Sequence, residues 1–380
     1  MKQIKHKRPS LKRLKRDARG ISPIVATLML VLITVAAAVA FYMFETGWQK
    51  TATGNVGDGT VSSTQITMSG STTVTDLMNT VVPAFEKANS GFKVSFTGTG
   101  SGAGLIAIEK GQVDIGMISD NMNDVTAGTT TAYPNLVATT IAYDGVAPFI
   151  ATTALAAHGI TIPTGKMLNM NMTIADAIWG VGAKTSFTAT NLGVTFSAGQ
   201  VDSTGIHTWG GLMWVMHNDT KTTATVPIAA SDQAKINIYF RSDSSGTQDA
   251  FSLLGLGKAK CLTYANPTAN QIGESGNPAM ITGVTGDNNG IGFATAGMVS
   301  TTSTCTGFAW NGITPTAAHV IAAANAIVGK DQYAVWHPLE LVTNGAPATD
   351  VKSFIDWVTA PDNNIALCNA AGFCSVYQSA

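Results

Sequence analysis

The sequence predicts an α/β protein built on a parallel sheet with helices on its faces and preceded by one membrane-crossing helix. Two observations carry this. From Gln65 onward short β-like runs alternate with helical ones, and an uncharged apolar run of 21 residues, Ile24 to Phe44, lies before them. A β-α-β-α-β order needs crossover connections, which make the strands parallel. At 380 residues and 45% hydrophobic, the chain is long enough for two domains and too apolar for intrinsic disorder.

Residues 1–20 form a basic leader. Residues 21–44 can cross a hydrocarbon core of ~30 Å as a helix, and the basic run before them should stay cytoplasmic, which sends the rest of the chain outside. From the residues alone two fates stay open for this segment: cleavage as a secretory signal after the small residues Ala38-Val39-Ala40, or retention as a signal anchor. Residues 45–64 are rich in Gly, Thr and Ser and read as a flexible tether of about 20 residues, reaching ~25 Å.

Beyond the tether, Gln65 to Met68 reads as a strand leading to a helix from Val74, whose apolar Leu77, Val81 and Phe85 recur every four positions. Lys93 to Thr97 is strand-like, Gly104 to Lys110 helical, and Val113 to Met117 strand-like again. Residues 124–140 and 181–206 read as loops or weak strands. Ile174 to Trp179 suggests a short helix, Lys235 to Phe240 a strand, Gln248 to Leu254 a helix, and Asp350 to Val358 a last helix before a tail bounded by cysteines.

Residues 1–19 hold nine of the 22 Lys+Arg and one of the 23 Asp+Glu, leaving 13 basic against 22 acidic groups in residues 20–380, a net of −9. An acidic body with a single arginine cannot neutralise many backbone phosphates, so nucleic acid is not expected as a partner. The four cysteines, Cys261, Cys305, Cys368 and Cys374, form no C-x-x-C pair, which argues against zinc. Outside the cell two disulfides fit better. The short loop favours Cys368–Cys374, leaving Cys261–Cys305, although four cysteines allow three connectivities. Asn171-Met172-Thr173 and Asn218-Asp219-Thr220 are glycosylation sequons.

Three strand-to-helix turns share one chemical character: Ser69-Gly70-Ser71-Thr72-Thr73, Gly98-Thr99-Gly100-Ser101-Gly102-Ala103-Gly104, and Ser242-Asp243-Ser244-Ser245-Gly246-Thr247. Each combines small residues, hydroxyls and the free N–H groups of a helix start, a description of an oxyanion site. Ligands of α/β sheets sit beyond the carboxyl ends of the strands, where all three turns fall. Arg241 adds weight, because it is the only arginine after residue 19 and directly precedes the third turn. Its planar donor fork suits bidentate contact with a tetrahedral anion, and Asp243 can hold it in place. No enzyme is expected: there is no G-x-S-x-G elbow, Ser101 has no evident base, and His158, His207, His217, His319 and His337 have no metal-binding spacing. No cofactor is expected either. Trp209, Trp214, Trp336 and Trp357 read as core.

Together with Val113-Asp114-Ile115-Gly116, Ser119-Asp120, Asp144-Gly145-Val146 and Gly290-Ile291-Gly292-Phe293, these turns resemble the phosphate-binding proteins of ABC phosphate importers over residues 65–378. The resemblance implies a two-lobed, type II periplasmic-binding-protein fold with two sheets hinged by two crossovers. Lobe one would comprise 65–144 and 290–380, and lobe two 145–289. It also implies inorganic phosphate as ligand, and an ABC permease with its ATPase as partners. The implied ligand contacts are Ser71, Thr72, Thr73, Ser101, Asp120, Arg241, Ser245, Gly246 and Thr247, with Asp243 and Gly102 in support. Asp120 would accept the proton of hydrogen phosphate and repel sulfate, which has none to give.

The stretch Arg19-Gly20-Ile21-Ser22-Pro23-Ile24-Val25 with its apolar run resembles the leader of archaeal type IV pilins and pilin-like binding proteins. That implies cleavage between Gly20 and Ile21, an anchoring helix at the cell surface, and other pilin-like subunits as partners. It opens a second function class, a filament or adhesion subunit with a vestigial anion site.

Overall fold

Strand β1 (Thr64–Gly70) sends Ile66 and Met68 into the core at every second position, as the pleat requires. The computed structural model describes residues 63–119, 133–180, 201–202, 205–227, 232–264 and 267–379. Helix α1 (Thr72–Ala88) buries Val74, Leu77, Met78, Val81 and Phe85 along one stripe. It begins two residues before the expected Val74, because the Ser71 hydroxyl accepts the N–H groups of Thr73 and Val74 at 3.1 and 3.2 Å.

Strand β2 (Phe92–Gly98) runs parallel to β1 from Thr64↔Phe92 to Gly70↔Gly98. Helix α2 (Ser101–Glu109) leads to β3 (Ile115–Ile118), parallel to β1 on its other side. The predicted β-α-β-α-β unit is present, with edges shifted by up to three residues. Asp114 stays outside β3 because its carboxylate accepts from the Thr67 backbone N–H and hydroxyl at 2.8 and 2.7 Å.

Strand β4 (Leu136–Ala151) corrects the reading of 124–140 as loop or weak strand from Leu136 onward. Near-continuous burial from Ile141 removes the period-two signature. Further along come α3 (Met172–Trp179), α4 (Trp209–Asn218), β5 (Asn237–Arg241), α5 (Gly246–Ala250), β6 (Gln271–Glu274), α6 (Gly276–Thr285) and β7 (Gly290–Thr295). The chain closes with β8 (Trp336–Asn344), α7 (Thr349–Thr359) and α8 (Pro361–Ala371). The helix expected over 248–254 is instead α5 followed by a wider turn of π type, Phe251–Gly255.

The main sheet runs β2-β1-β3-β8-β4-β7-β5-β6. Strand β4 joins its halves, since Leu136–Gly145 pair with β8 and Val146–Ile150 with β7. Each half has its own core. Val74, Phe85, Leu341 and Phe354 fill the first, where Phe85 and Phe354 meet edge to face at 4.9 Å, and Trp179, Trp209, Phe251 and Phe293 fill the second. This is a two-lobed α/β arrangement. Pairing sets β7, and Cys305–Gly307 against Phe149–Ala151, in the second half. Strand β4 changes partners at Gly145–Val146, and β8 pairs with β3 and the start of β4 in the first half.

All four cysteines are free thiols, which corrects the expected disulfides. Cys261 belongs to the second core, while Cys305 packs against a separate cluster around Phe149 and Met280. Cys368 lies on α8 with its thiol toward the Ile141 carbonyl at 3.7 Å, and Cys374 sits in a short strand against β4. Burial pushes both Cys368 and Cys374 up to about 12, which keeps them protonated.

The leader, the segment 21–44 with Gly20 and Ile21, the tether up to Ser62, residues 181–200 and Asp120 lie outside the described residues. Among the described residues no helix is long and apolar enough to cross a membrane.

Candidate functional site

The carboxyl ends of β1, β2 and β5 deliver the three hydroxyl-rich turns to one place. Gly70 starts the first turn at φ +145°, and a Cβ there would stand 2.0 Å from the Met117 carbonyl oxygen. Only glycine fits, so Gly70→Ala should destabilise the fold by more than ~3 kcal/mol, read from the midpoint of denaturant unfolding.

Ser71, fully buried, spends its hydroxyl on the cap of α1 and donates it to Ser119 Oγ at 2.6 Å. Thr72 and Thr73 face the other half of the sheet. Thr72 Oγ1 accepts from Arg241 Nη2 at 2.9 Å and donates to Asp243 Oδ2 at 3.2 Å. The hydroxyls of Thr73 and Thr247, both buried, meet at 2.8 Å across 174 positions of sequence. Ser101 Oγ accepts the Ser119 N–H at 3.2 Å.

Arg241 ends β5 with its side chain fully buried. Its Nε and Nη2 donate to Asp243 Oδ1 and Oδ2 at 2.8 and 2.6 Å, a bidentate pair, and Nη1 donates to Asn277 Oδ1 at 3.2 Å. Burial works against the Asp243 charge, but the hydrogen bonds and charge of Arg241 outweigh it and hold this carboxyl below the usual range. The Arg241 backbone N–H is anchored on Gln248 Oε1 at 2.7 Å. Ser245 caps α5 by accepting the Gln248 N–H at 3.3 Å. Gly246 packs so closely that a Cβ would stand 1.9 Å from Ser119 Oγ and 2.2 Å from the Ser119 carbonyl oxygen.

The structure thus brings together Ser71, Thr72, Thr73, Ser101, Arg241, Asp243, Ser245, Gly246 and Thr247. Gly102 is different: it lies in the first turn of α2 with open space around its missing Cβ, so no close approach demands a glycine there. Asp120 lies outside the described residues, directly after Ser119.

Sequence reasoning missed Asn277, Asp76 and the role of His337, and it named Ser119 and Asp144 only as motif residues of the family resemblance, without a role in the site. Asn277 Nδ2 donates to Asp76 Oδ2 at 3.1 Å and to Thr295 Oγ1 at 2.9 Å, whose hydroxyl in turn donates to Asp144 Oδ2 at 3.0 Å. His337 Nε2 lies 3.2 Å from Asp144 Oδ2, and its Nδ1 donates to the Ser119 carbonyl at 2.5 Å. Burial raises the Asp144 carboxyl, with His337 and Thr295 partly offsetting the rise. Asn277 follows a Ser-Gly pair at a helix start, the same grammar as the other turns, so a fourth search would have found it.

Chemically, buried hydroxyls and a fixed guanidinium from opposite halves form a donor-rich cluster suited to an oxyanion. A cavity of about 680 Å³ lies elsewhere, walled by Val299, Phe308, Val320 and Phe373, and none of the three turns lines it.

No curated protein matches the chain. Its fold is similar to that of a Clostridium perfringens protein described as a phosphate ABC transporter substrate-binding protein, solved with bound phosphate. That likeness has 21% identity and a TM-score of 0.56, and covers 82% of this chain and 100% of the other. It is also similar to an ABC-type phosphate transport receptor from Vibrio cholerae, at 20% identity and a TM-score of 0.53 over 81% and 99% of the two chains. Residues 55–362 match the profile of the PBP superfamily domain, most of the chain, and the chain belongs to that superfamily.

Proposed function

We propose that the chain is a substrate-binding protein that captures inorganic phosphate between its two lobes and delivers it to an ABC importer. The observation that carries this reading is the convergence of Thr72, Thr73 and Ser101 from one half with Arg241 and Thr247 from the other. Ligand contacts drawn from both halves favour a closed state, since closure completes the coordination of the anion. The relatives described as phosphate receptors support the same choice of anion. The first lobe takes β1, β2, β3, β8 and the start of β4; the second takes the rest of β4 with β7, β5 and β6.

Residues 21–44 hold the body outside the membrane, with the tether keeping it within reach of the permease. The donor cluster favours capture over a filament or adhesion role. A surface subunit gains nothing from a dehydrated arginine cluster joining two lobes. Asp120 acts as the filter, because hydrogen phosphate can donate to it and sulfate cannot.

Calorimetric titration of the full-length chain should show phosphate binding and sulfate binding far more weakly. Asp120→Asn should narrow that gap by about tenfold or more, as expected for one charge-assisted hydrogen bond. Equal competition by sulfate in the unmodified chain rules out the phosphate assignment, and no heat with either anion rules out the site.

A further inference from the structure

We propose that Asp76 takes up a proton from solvent as the anion binds, so that capture is proton-linked and tightens as the pH falls. This rests on the anion reading above and deepens it. Asp76 lies on α1, one turn beyond Thr72, and is half-buried. Among the described residues its side-chain hydrogen-bond partner is neutral: the Asn277 amide, 3.1 Å away on the opposite half. That amide cannot be reversed, because its oxygen must face the donor-only Arg241. One amide thus separates the Asp76 carboxyl from the guanidinium.

The charges around Asp76 can be counted. Arg241 on β5 is matched by Asp243 in the bidentate pair. Asp144 on β4 and His337 on β8 hold one proton between them: Nδ1 of His337 donates to a carbonyl, so the facing Nε2 and Oδ2 share the other, and the pair sums to zero in either arrangement. Asp249 on α5 faces Lys260 and His337 instead. Asp76 is what remains, a carboxyl without a cationic partner among the described residues, beside a site for an anion. Burial already brings it up to about 6, against the pull of Asn277 and Arg241.

An arriving anion is a further like charge and raises Asp76 again. A group whose pKa is higher in the bound state adds to affinity as pH falls through the interval between its free and bound midpoints, and adds nothing further below it. The proton joins a carboxylate oxygen and leaves a neutral carboxylic acid; no bond of the anion changes.

The test is calorimetry of phosphate binding to the full-length chain at pH 6.5, in two buffers of different ionisation enthalpy, for the unmodified chain and Asp76→Asn. Phosphate exchanges protons itself, so the difference between the two proteins isolates Asp76. The unmodified chain should take up roughly half a proton more per anion, and the ratio of its affinity to that of the variant should rise roughly sixfold from pH 7.5 to 5.5, as a one-unit rise from about 6 requires. Equal uptake and a flat ratio overturn the inference while leaving the phosphate reading intact. No heat from phosphate in the unmodified chain at either pH removes both. Should the variant fail to fold, carboxyl-carbon NMR of the unmodified chain decides: an Asp76 midpoint that moves up when phosphate is added supports proton uptake, and one that stays put overturns it.

Discussion

Arg241→Ala is expected to abolish phosphate binding in calorimetry, with an affinity loss of at least about a hundredfold. Truncating one member of a buried, hydrogen-bonded charge pair costs ~2–5 kcal/mol in binding, and each ~1.4 kcal/mol is tenfold. Arg241 reaches Thr72, Asp243 and Asn277 simultaneously, so its removal also unties the two halves of the sheet. Asp243 would be left largely buried without its cation, which adds a stability loss on the order of 3 kcal/mol. Arg241→Lys separates the two effects. It restores a positive charge beside Asp243 but not the planar fork, so stability should recover further than affinity. Binding by Arg241→Ala within threefold of the unmodified chain would show that the guanidinium serves the fold and not the anion.

Gly246→Ala should weaken phosphate binding by about a hundredfold while the melting temperature changes by only a few degrees. Gly246 belongs to α5 in the second half, and the atoms that its Cβ would strike, 1.9 and 2.2 Å away, belong to Ser119 in the first. The hydroxyl could swing aside, but the carbonyl cannot move without its strand. The added methyl therefore acts as a wedge that keeps the lobes apart by an ångström or so, and misplacement on that scale costs about two orders of magnitude where geometry must be held. Neither core is entered, so each lobe should stay folded. Unchanged affinity would mean that the bound state does not bring Ser119 and Gly246 together. A collapse of the melting temperature would place the contact in the fold and not in closure.

These expectations draw on parts of the site that the sequence disclosed unequally. Ser71, Thr72, Thr73, Ser101 and the run from Arg241 to Thr247 were legible because a strand-to-helix turn is written locally, in a few consecutive small and hydroxyl residues. The lone arginine stood out by composition. Asn277 and Asp76 carried no such mark, and Ser119 was marked only as a motif residue of the family resemblance, without a role. Each matters through a partner 36 to 201 positions away, and one sequence does not record such distances. Strand β4 was illegible for another reason: burial on both faces suppresses alternation, and its Thr, Ala and Gly content imitates a loop. The cysteine reading failed because pairing was argued from compartment and loop length, whereas position decides it, and Cys261 and Cys305 belong to different clusters.

What the sequence determined alone was local chemistry and class: the β-α-β-α-β start, three hydroxyl-rich strand-to-helix turns, a single arginine after residue 19, and an acidic body behind a basic leader. Periodicity, capping and charge balance act over a few residues, so a linear reading suffices for them. Tertiary structure alone decided that β4 serves both halves of the sheet, that the three turns meet, and that Asn277 couples Asp76 to Arg241. Those are facts of proximity and burial. They set which charges are matched and which proton is loosely held, and they exist only once distant segments exclude water together.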